Sequence, residues 1–390
     1  MGKIGDLIQQ LCPNGVEYQD LGDVTLIKRG STITKSETSE GEIPVIAGGQ
    51  KPAYFHSESN REGETIVVAG SGAYAGFVSY WNIPVFVSDA FTVAPAVDSL
   101  LTKYCYYFLK NLQSELHALK SGGGVPHVYG RDVRKLRIPM PPLKIQSEIV
   151  RILDTFTELE AELEAELEAR KTQYHHYSES ALFTNIDEGS EKMKLADVCD
   201  LQNGYAFKSQ EMKDAEADGL MPILRISNLG SDGGIVGDFK FHSPVGIGDR
   251  FIASENDVVV AMTGATLGKV AVVQKGSFLL NQRVGMFRND KSKIDLKYLS
   301  FILRSQVFYN YCQNAIGLSA QGNISKDQLL DFEFSLPSLQ SQERVTDFLE
   351  KFESLVLGAN SLLPIELKAR RQQYEYYRNK LLTFKELEVA

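Results

Sequence analysis

The sequence predicts a mixed α/β (α+β) protein that contains one design twice. Two similar globular domains are separated by two long helices, and the chain becomes a pseudo-two-fold object if these helices pack antiparallel. Three observations predict this. The second half of the 390-residue chain repeats motifs of the first, a glutamate- and leucine-rich tetrapeptide occurs three times between the halves, and a second helical segment ends the chain. A chain of this length is also too long for one ordinary core.

Composition, cysteine usage and charge narrow the class of protein. No apolar run approaches the roughly 18 residues that span a bilayer, and the N-terminus lacks a secretory h-region, so no membrane partner is expected. Cys12, Cys105, Cys199 and Cys312 form no CxxC pair, which predicts reduced thiols in a cytoplasmic protein. The net charge is −9, but residues 143–190 hold 11 acidic and 4 basic residues. The globular parts are therefore close to neutral and can carry local basic grooves.

Each globular half shows the same order of local signals. An LxDV motif predicts the first strand, a glycine preceded by polar residues predicts a turn, and an apolar run leading into a glycine turn predicts a hairpin or bent strand pair. An amphipathic aromatic helix follows, then a polar glycine-containing loop, then a strand that runs into proline. The repeated segments are 21–24 and 195–198, 28–30 and 202–204, 63–78 and 255–270, 103–116 and 297–312, 121–132 and 317–327, and 136–142 and 332–337. Gly72, Gly76, Gly264 and Gly268 are expected to set backbone turns.

A long helix is predicted after each proline. The two helices match at both ends and differ in the middle by four residues. In that middle the first helix has TELE-AELE-AELE at residues 157–168, which consists of strong helix formers. Its apolar stripe continues for about 40 residues, or about 60 Å. The second helix has Gly358 and Pro364 there, which are expected to bend or interrupt it. Two such amphipathic helices most simply bury their stripes on each other.

These features together resemble the specificity subunit of type I restriction-modification enzymes. The resemblance rests on the domain–helix–domain–helix order, the helix starts with proline, leucine and glutamine, the tetrapeptide helix and the ending ARRQQYEYYRNKLL, and it extends from Cys12 to Phe384. It implies target-recognition domains at residues 1–142 and 188–337, and spacer helices at 143–187 and 338–385.

The resemblance also implies a function. Each domain would read one half of a bipartite target in double-stranded DNA. The helices would form an antiparallel coiled coil that sets the half-site spacing and docks two DNA methyltransferase subunits. Motor/endonuclease subunits would join through the complex. The family's subunit binds DNA without a catalytic site.

The residues themselves contain few signs of catalysis. The adenine-methyltransferase signature Asn-Pro-Pro-aromatic is absent, and GATLGKV at Gly264 has too few residues between its glycines for a phosphate loop. The six histidines show no metal-ligand spacing. We therefore expect no catalytic, cofactor-binding or metal-binding residue in this chain.

The candidate DNA-contacting residues are polar and basic side chains in loops, because base edges are read by Arg, Lys, Asn, Gln, Ser and Thr. Any single one is more often a solvated turn residue, but the loops together favour DNA. In the first domain they are Lys28, Arg29, Ser31, Thr32, Gln50, Lys51, Ser71, Tyr74, His127 and Arg131. In the second they are Asn203, Tyr205, Lys208, Arg225, Asn228, Thr263, Thr266, Lys269, Gln282, Arg283, Gln321, Asn323 and Lys326.

A second set of candidates lies on the helices. Its members are apolar or aromatic and are expected to form the spacer or a partner interface: Leu159, Leu163, Leu167, Tyr174, Tyr177, Phe352, Tyr374 and Tyr377. The tyrosines are interpreted equally well as anchors for a partner and as side chains that close the helix pair onto the domains.

Two rival functions stay open at this level. One is an enzyme whose motifs are not visible in the sequence. The other is a coiled-coil assembly scaffold, or a protein whose domains mimic DNA.

Overall fold

The computed structural model describes residues 2–122, 124–184, 190–230, 233–316, 322–356 and 362–387. The chain forms two compact units. The first comprises Met1–Ala165 and Ile365–Ala390, and the second comprises Glu166–Pro364. Each unit therefore holds one globular domain, the first half of the long helix that follows it, and the end of the other long helix.

The first unit is built on three small sheets. A four-stranded antiparallel sheet has the order β2-β8-β5-β6, a three-stranded sheet has the order β4-β3-β7 with β3 and β7 parallel, and β1 pairs with β9. The strands are β1 (Tyr18–Asp20), β2 (Thr25–Arg29), β3 (Ile43–Ile46), β4 (Tyr54–His56), β5 (Thr65–Ala69), β6 (Val78–Trp81), β7 (Phe86–Val87), β8 (Ala90–Pro95) and β9 (Arg137–Pro139). The helices are α1 (Gly2–Leu11), α2 (Leu21–Val24), α3 (Thr102–Asn111), α4 (Gln113–Ala118), α5 (Gly130–Val133) and α6 (Leu143–Glu179).

The second unit repeats this arrangement. Its sheets have the orders β11-β18-β15-β16 and β13-β12-β17-β14, with β12 and β17 parallel, and β10 pairs with β19. The strands are β10 (Glu191–Lys194), β11 (Cys199–Asn203), β12 (Met221–Leu224), β13 (Lys240–His242), β14 (Ile252–Ala253), β15 (Val258–Ala261), β16 (Val270–Val272), β17 (Phe278–Leu280), β18 (Val284–Asn289) and β19 (Glu333–Leu336). The helices are α7 (Leu195–Val198), α8 (Leu296–Arg304), α9 (Gln306–Ile316), α10 (Lys326–Leu330) and α11 (Leu339–Val356). The last helix, α12 (Leu362–Leu382), belongs to the first unit from Ile365 onward.

The two largest apolar cores lie in equivalent places. In the first unit Ile66, Val93, Tyr104 and Ile149 belong to one buried cluster, so the four-stranded sheet packs on α3 and on the start of α6. In the second unit the matching cluster joins the sheet to α8 and α11. The expected fold class, two similar α/β domains combined with long helices, is confirmed. Gly72, Gly76, Gly264 and Gly268 all have positive φ, as expected of turn-setting glycines.

The LxDV motif was expected to be a strand and is instead one helical turn in each unit. Leu21 and Val24 are both buried, at 0% and 2% exposure. Residues three apart face the same side of a helix but opposite sides of a strand, so only a helical turn buries both. The Thr25 hydroxyl donates a hydrogen bond to the Leu21 carbonyl oxygen at 2.5 Å and closes that turn.

The aromatic helix of each domain was expected to be continuous and is split into two. α3 ends before Leu112 and α8 ends before Ser305. Ser305 has an extended ψ of 155°, and its hydroxyl oxygen accepts a hydrogen bond from the Phe308 amide at 3.2 Å. A serine that accepts from a backbone amide three residues later is a helix N-cap. The side chain of Ser305 therefore starts a new helix.

The first long helix is confirmed, because α6 runs without interruption for 37 residues, about 55 Å. The second helical segment contains α11 and α12. Residues 357–361 between them, which include Gly358, lie outside the described residues. Pro364 falls in the first turn of α12, where the backbone N–H has no intrahelical acceptor and proline is tolerated.

A buried glutamine fixes the start of each long helix to its domain. The Gln146 amide donates to the carbonyl oxygens of Ser99 (2.7 Å) and Pro141 (2.8 Å), and its oxygen accepts from the Leu101 amide at 3.0 Å. Gln342 makes the same three bonds, to the oxygens of Lys293 and Pro337 and from the Asp295 amide. Both glutamines are 0% exposed.

A phenylalanine on each long helix packs against two tyrosines of the other one. In the first unit Phe156 contacts Tyr374 and Tyr377, with ring centroids 6.4 and 5.6 Å apart. Farther along α6, Glu160 and Glu164 bind Arg371. The numbers rise on one helix as they fall on the other, so the two segments are antiparallel. In the second unit Phe352 contacts Tyr174 and Tyr177 in the same way, at 5.4 and 6.2 Å.

Candidate nucleic-acid interface

Several candidate residues of the first unit lie at the same end of the four-stranded sheet, where β2 and β5 end and β8 begins. We call this end of the sheet the edge. β2 ends at Arg29, which pairs with Phe91, and β5 ends at Ala69, which pairs with Ala90 at the start of β8. Because these strands are antiparallel, the ends of β2 and β5 and the start of β8 lie side by side. Arg29, Ser71 and Asp89 consequently flank the same sheet edge.

Two further loops come to this edge. The Val128 amide donates to the Gly70 carbonyl oxygen at 3.0 Å, and Ser71 forms a β-bridge with His127. Gly48 lies so close that a Cβ there would stand 2.5 Å from the Ser71 carbonyl oxygen. The loops that carry Gln50 and Lys51 and His127 to Arg131 therefore join those of Arg29 and Ser71.

The edge of the first unit contains a small cationic cleft of about 220 Å³. Arg29, Arg131 and Arg134 line it together with Asp89, His127 and Tyr129. The rings of His127 and Tyr129 stack at 5.9 Å with an interplanar angle of 11°, and the Arg131 guanidinium lies 4.7 Å from the Tyr129 ring centre. Planar stacks of aromatic and arginine groups are surfaces on which nucleic-acid bases and sugars pack.

The second unit brings its candidates together in the same way. β11 ends at Asn203, β15 ends at Ala261, and β18 starts at Val284 beside both. Thr263 forms a β-bridge with Asn323, which corresponds to the bridge between Ser71 and His127. The edge therefore gathers Asn203, Tyr205, Thr263, Gln282, Arg283 and Asn323.

Backbone hydrogen bonds show that the two edges share one framework. The residue before β8 accepts from Gly70 and the residue before β18 accepts from Met262, at 3.1 and 3.0 Å. Gly30 donates to Ala90 and Gly204 donates to Val284, at 2.9 and 3.0 Å. A Cβ at either glycine would lie 2.1 to 2.3 Å from a carbonyl oxygen of the facing chain segment, so this close approach requires glycine.

The side chains on this framework differ between the units. Arg29 is matched by Asn203, Ser71 by Thr263, and His127 by Asn323. Lys326 is bound to Asp200 at 2.5 Å, which offsets its charge. The Lys326 hydrogen bond also holds the pKa of Asp200 below its ordinary value.

Two predicted DNA contacts are corrected by the structure. Asn228 is 1% exposed, and its side chain is used by the backbone groups of Arg225, Val236 and Asp238. It closes a loop and has no surface to offer. Ser71 is 9% exposed and donates its hydroxyl to the Asp89 carboxylate. Its hydroxyl positions Asp89 rather than reaching outward.

Other candidates lie away from the edge or bordering it. Lys269 lines a different groove, against Tyr309 of α9, and Lys208 pairs with Glu211 at 3.3 Å in the loop after β11.

Arg225 and Thr266 border the edge of the second unit. Within the described ranges, Arg225 Nε and the hydroxyls of Thr263 and Thr266 are buried without a hydrogen-bond partner. Gln321 lies outside the described residues. Lys28, Ser31, Thr32 and Tyr74 are exposed around the first edge.

Sequence reasoning missed two residues of the first edge, Asp89 and Arg134, whereas Tyr129 lies in the predicted loop from His127 to Arg131. Residue type does not indicate Asp89, because a carboxylate is repelled by DNA phosphates. Its position directly before an apolar strand that faces the Arg29 strand was the signal that could have identified it.

The helix candidates fall into two groups. Tyr174 is buried and Tyr374 is partly buried against the facing phenylalanine, so these two close the helix pair. Tyr177 also packs on Phe352 and is 49% exposed. Leu163 is buried, while Leu159 and Leu167 are partly exposed, so the tetrapeptide leucines form the inner stripe of α6.

Among the described residues there is no cluster of three or more His, Cys, Asp or Glu side chains that could hold a metal ion. Burial raises the pKa of Cys105, Cys199 and Cys312 to about 12, so these thiols stay protonated at neutral pH. In the same described ranges no helix is both long and apolar enough to cross a membrane.

Comparison with known proteins agrees with this geometry. The family model described as type I restriction modification DNA specificity domain matches residues 13–169 and 187–369. A putative type I restriction enzyme specificity subunit from Haemophilus influenzae is 26% identical over 95% of this chain and 96% of its own length. A type I restriction enzyme specificity subunit from Escherichia coli is 26% identical over 96% of both chains.

Solved structures show the same fold. The S subunit of a type I restriction-modification system from M. genitalium superposes with a TM-score of 0.54 at 16% identity, over 94% of this chain and 96% of that one. A chain from a study of complex assembly in a type I system superposes with a TM-score of 0.62 at 16% identity, over 95% and 98%. The chain therefore belongs to the type I restriction-modification specificity-subunit family and carries two DNA specificity domains.

Proposed function

We propose that this chain is the sequence-reading subunit of a type I restriction-modification complex, in which each domain reads one half of a bipartite target in double-stranded DNA. The observation that carries the proposal is the repeated sheet edge. One backbone framework presents different base-contacting side chains in the two units, such as Arg29 in the first and Asn203 in the second. Different side chains on one framework are what two different half-sequences require.

The functional division that goes with this proposal has recognition domains at residues 1–142 and 188–337 and spacer helices at 143–187 and 338–385. The subunit itself is non-catalytic, and methyl transfer and cleavage belong to its partners. Two methyltransferase subunits dock on the helices, and motor/endonuclease subunits join through the complex. The four free cysteines fit a cytoplasmic location.

Methylome sequencing of the host, with and without this chain, tests the proposal. We expect one bipartite motif, with two unlike halves, to lose its methylation when the chain is deleted and to regain it when the chain is restored. A methylation pattern that is unchanged by deletion contradicts the proposal. So does turnover of S-adenosylmethionine by the purified chain alone, because that would make the chain an enzyme.

The length of α6 is proposed to set the spacing between the two half-sites. Deletion of residues 161–164 removes about 6 Å of helix, and one base pair occupies about 3.4 Å. We expect the spacer of the methylated motif to shorten by one or two base pairs while both half-sequences stay the same. Replacement of the same residues by Ala-Glu-Ala-Glu keeps the length and serves as the control. An altered half-sequence, or an unchanged spacer, contradicts the proposal.

A further inference from the structure

The two domains carry opposite charges at one position of the shared framework, the residue directly before β8 or β18. That residue is Asp89 in the first domain and Arg283 in the second. Its carbonyl oxygen accepts from Gly70 or Met262, and the next residue accepts from Gly30 or Gly204. Equivalent hydrogen bonds on both sides place Asp89 and Arg283 at the same point of the framework.

This position lies where the loops of each edge meet. Asp89 is half-buried and lines the cationic cleft of the first unit. Ser71 donates to its Oδ2, and no hydrogen bond to Oδ1 is found in the described part of the chain. Arg283 is exposed, and within the described ranges its guanidinium makes no hydrogen bond or ion pair. Both side chains are therefore available to a ligand at the edge.

A purely structural role for Asp89 is disfavoured by the second domain. There the hydroxyl of Thr263 takes the place of Ser71, and it is buried without a hydrogen-bond partner among the described residues. The β-bridge between Thr263 and Asn323 still forms. The framework consequently folds with arginine in place of the aspartate and without the hydroxyl–carboxylate bond.

The opposite charges decide what this position contacts. A carboxylate is repelled by DNA phosphates, so a position that is Asp in one domain and Arg in the other is not a shared phosphate contact. Base edges accept both residue types, because Asp accepts from the cytosine N4 amine and Arg donates to O6 and N7 of guanine. Arg29, Arg131 and Arg134 line the same cleft as Asp89. Their positive charge attracts the phosphate backbone of DNA to this cleft.

We propose that the residue before β8 and β18 is a specificity-determining position, at which Asp89 reads a cytosine in one half-site and Arg283 reads a guanine in the other. The proposal rests on the proposed function and specifies it at the level of one base pair per half-site. Each half of the target consequently contains a C·G pair whose recognition depends on this one side chain.

The experiment uses the chain assembled with its cognate methyltransferase subunits and a randomised double-stranded DNA library, which is methylated and then sequenced. In Asp89→Asn we expect one position of the first half-site to change from cytosine towards adenine, because Asn pairs with adenine. In Arg283→Gln we expect one position of the second half-site to change from guanine towards adenine. The preference for the original base should fall about 5- to 150-fold at that position alone.

Two surface variants are matched controls. Asp98→Asn and Lys275→Gln change an exposed charge outside the strand-end edge and should keep the parental motif in both halves. A parental motif without a C·G pair in either half overturns the base assignment. Unchanged base preference in Asp89→Asn and Arg283→Gln, with methylation retained, overturns the proposal for each domain separately.

Loss of all methylation by Asp89→Asn, together with a lowered melting temperature, would make Asp89 a residue that holds Ser71 and would overturn its half of the proposal. A parental complex that methylates without any sequence motif is a different outcome, because it refutes the proposed function itself.

Discussion

The joints between helix and domain are nearly identical in the two units, whereas the sheet edges that carry the candidate contacts differ. At the joints, Gln146 and Gln342 make the same three hydrogen bonds. Lys103 binds Asp154 at 2.7 Å, as Lys297 binds Glu350 at 2.8 Å. At the edges the backbone is shared and the side chains change, even in the sign of their charge. The contacts between each domain and its long helix are thus the same in both units, whereas the side chains at the sheet edges differ.

The largest expected effect comes from removing the shared glutamine. In Gln146→Leu or Gln342→Leu, one backbone amide and two carbonyl oxygens lose their partner. The bonds to Pro141 and Pro337 are buried and the other bonds are partly buried. Each unsatisfied group costs about 1–3 kcal/mol. Allowing for relaxation, we expect a loss of about 3–5 kcal/mol, and a lowering of the unit's melting temperature by about 6–15 °C. Scanning calorimetry of the purified chain measures it.

The comparison between the units requires both glutamine variants to behave alike. Gln340→Leu, which changes an exposed glutamine at the start of α11, is the matched control and should leave the melting temperature within about 2 °C. Destabilisation by only one of the two variants would show that the joints are not equivalent.

A smaller loss of stability is expected from removing the ion pairs between helices, which differ in burial between the two units. In the second unit Arg304 binds Glu353, with both side chains about three-quarters buried. In the first unit Arg371 of α12 binds Glu160 and Glu164 of α6, but the arginine is 50% exposed. Arg304→Met leaves a poorly solvated carboxylate and should cost about 2 kcal/mol, against about 0–1 kcal/mol for Arg371→Met.

Denaturant titrations at low and high salt distinguish these two ties. The Arg371 contribution should disappear in about 1 M salt, because exposed pairs are screened, while the Arg304 contribution should largely persist. An equal loss of unfolding free energy in the two variants, or a larger loss in Arg371→Met, would contradict the assignment of the stronger ion pair to the second unit.

The smallest effect concerns pH. The hydrogen bond from Lys326 lowers the pKa of Asp200 below its ordinary value of 3.8, so the pair stabilises the fold above that pH and its contribution is lost as pH falls through the lowered pKa. Lys326→Met should return the pKa towards 3.8 in an NMR titration. It should be slightly less stable than the parent at neutral pH and equal to it in strong acid. Lys275→Met is the control, and an unshifted pKa in Lys326→Met would rule out this pairing.

The architecture could be predicted well from the sequence because it depends on local residue patterns. The repeat, the hairpins around paired glycines and the tetrapeptide helix follow from spacing and propensity alone. LxDV failed because a four-residue apolar motif fits a strand or a turn of helix equally, and only the burial of Leu21 and Val24 on one side decides. The split at Ser305 required knowledge that its hydroxyl caps the next helix.

The site was predicted less completely, for a physical reason. Residue type indicated Arg29, His127 and Arg131, but only the strand register places them beside Asp89. Asn228 has the right chemistry and points inward, where backbone groups use its amide. A residue's availability depends on contacts between segments that are distant in sequence, and those contacts are not visible in local patterns.

The strands at the base of each domain also bear on how such a protein acquires new specificity. Tyr18 pairs with Pro139 and Glu191 pairs with Leu336, so the chain enters and leaves each domain through neighbouring strands. A domain whose two ends lie side by side can be exchanged between proteins with little change to the chain around it. A single recombination event that exchanges everything between β1 and β9 would graft a new half-site reader while the glutamine joint that receives it stays in place.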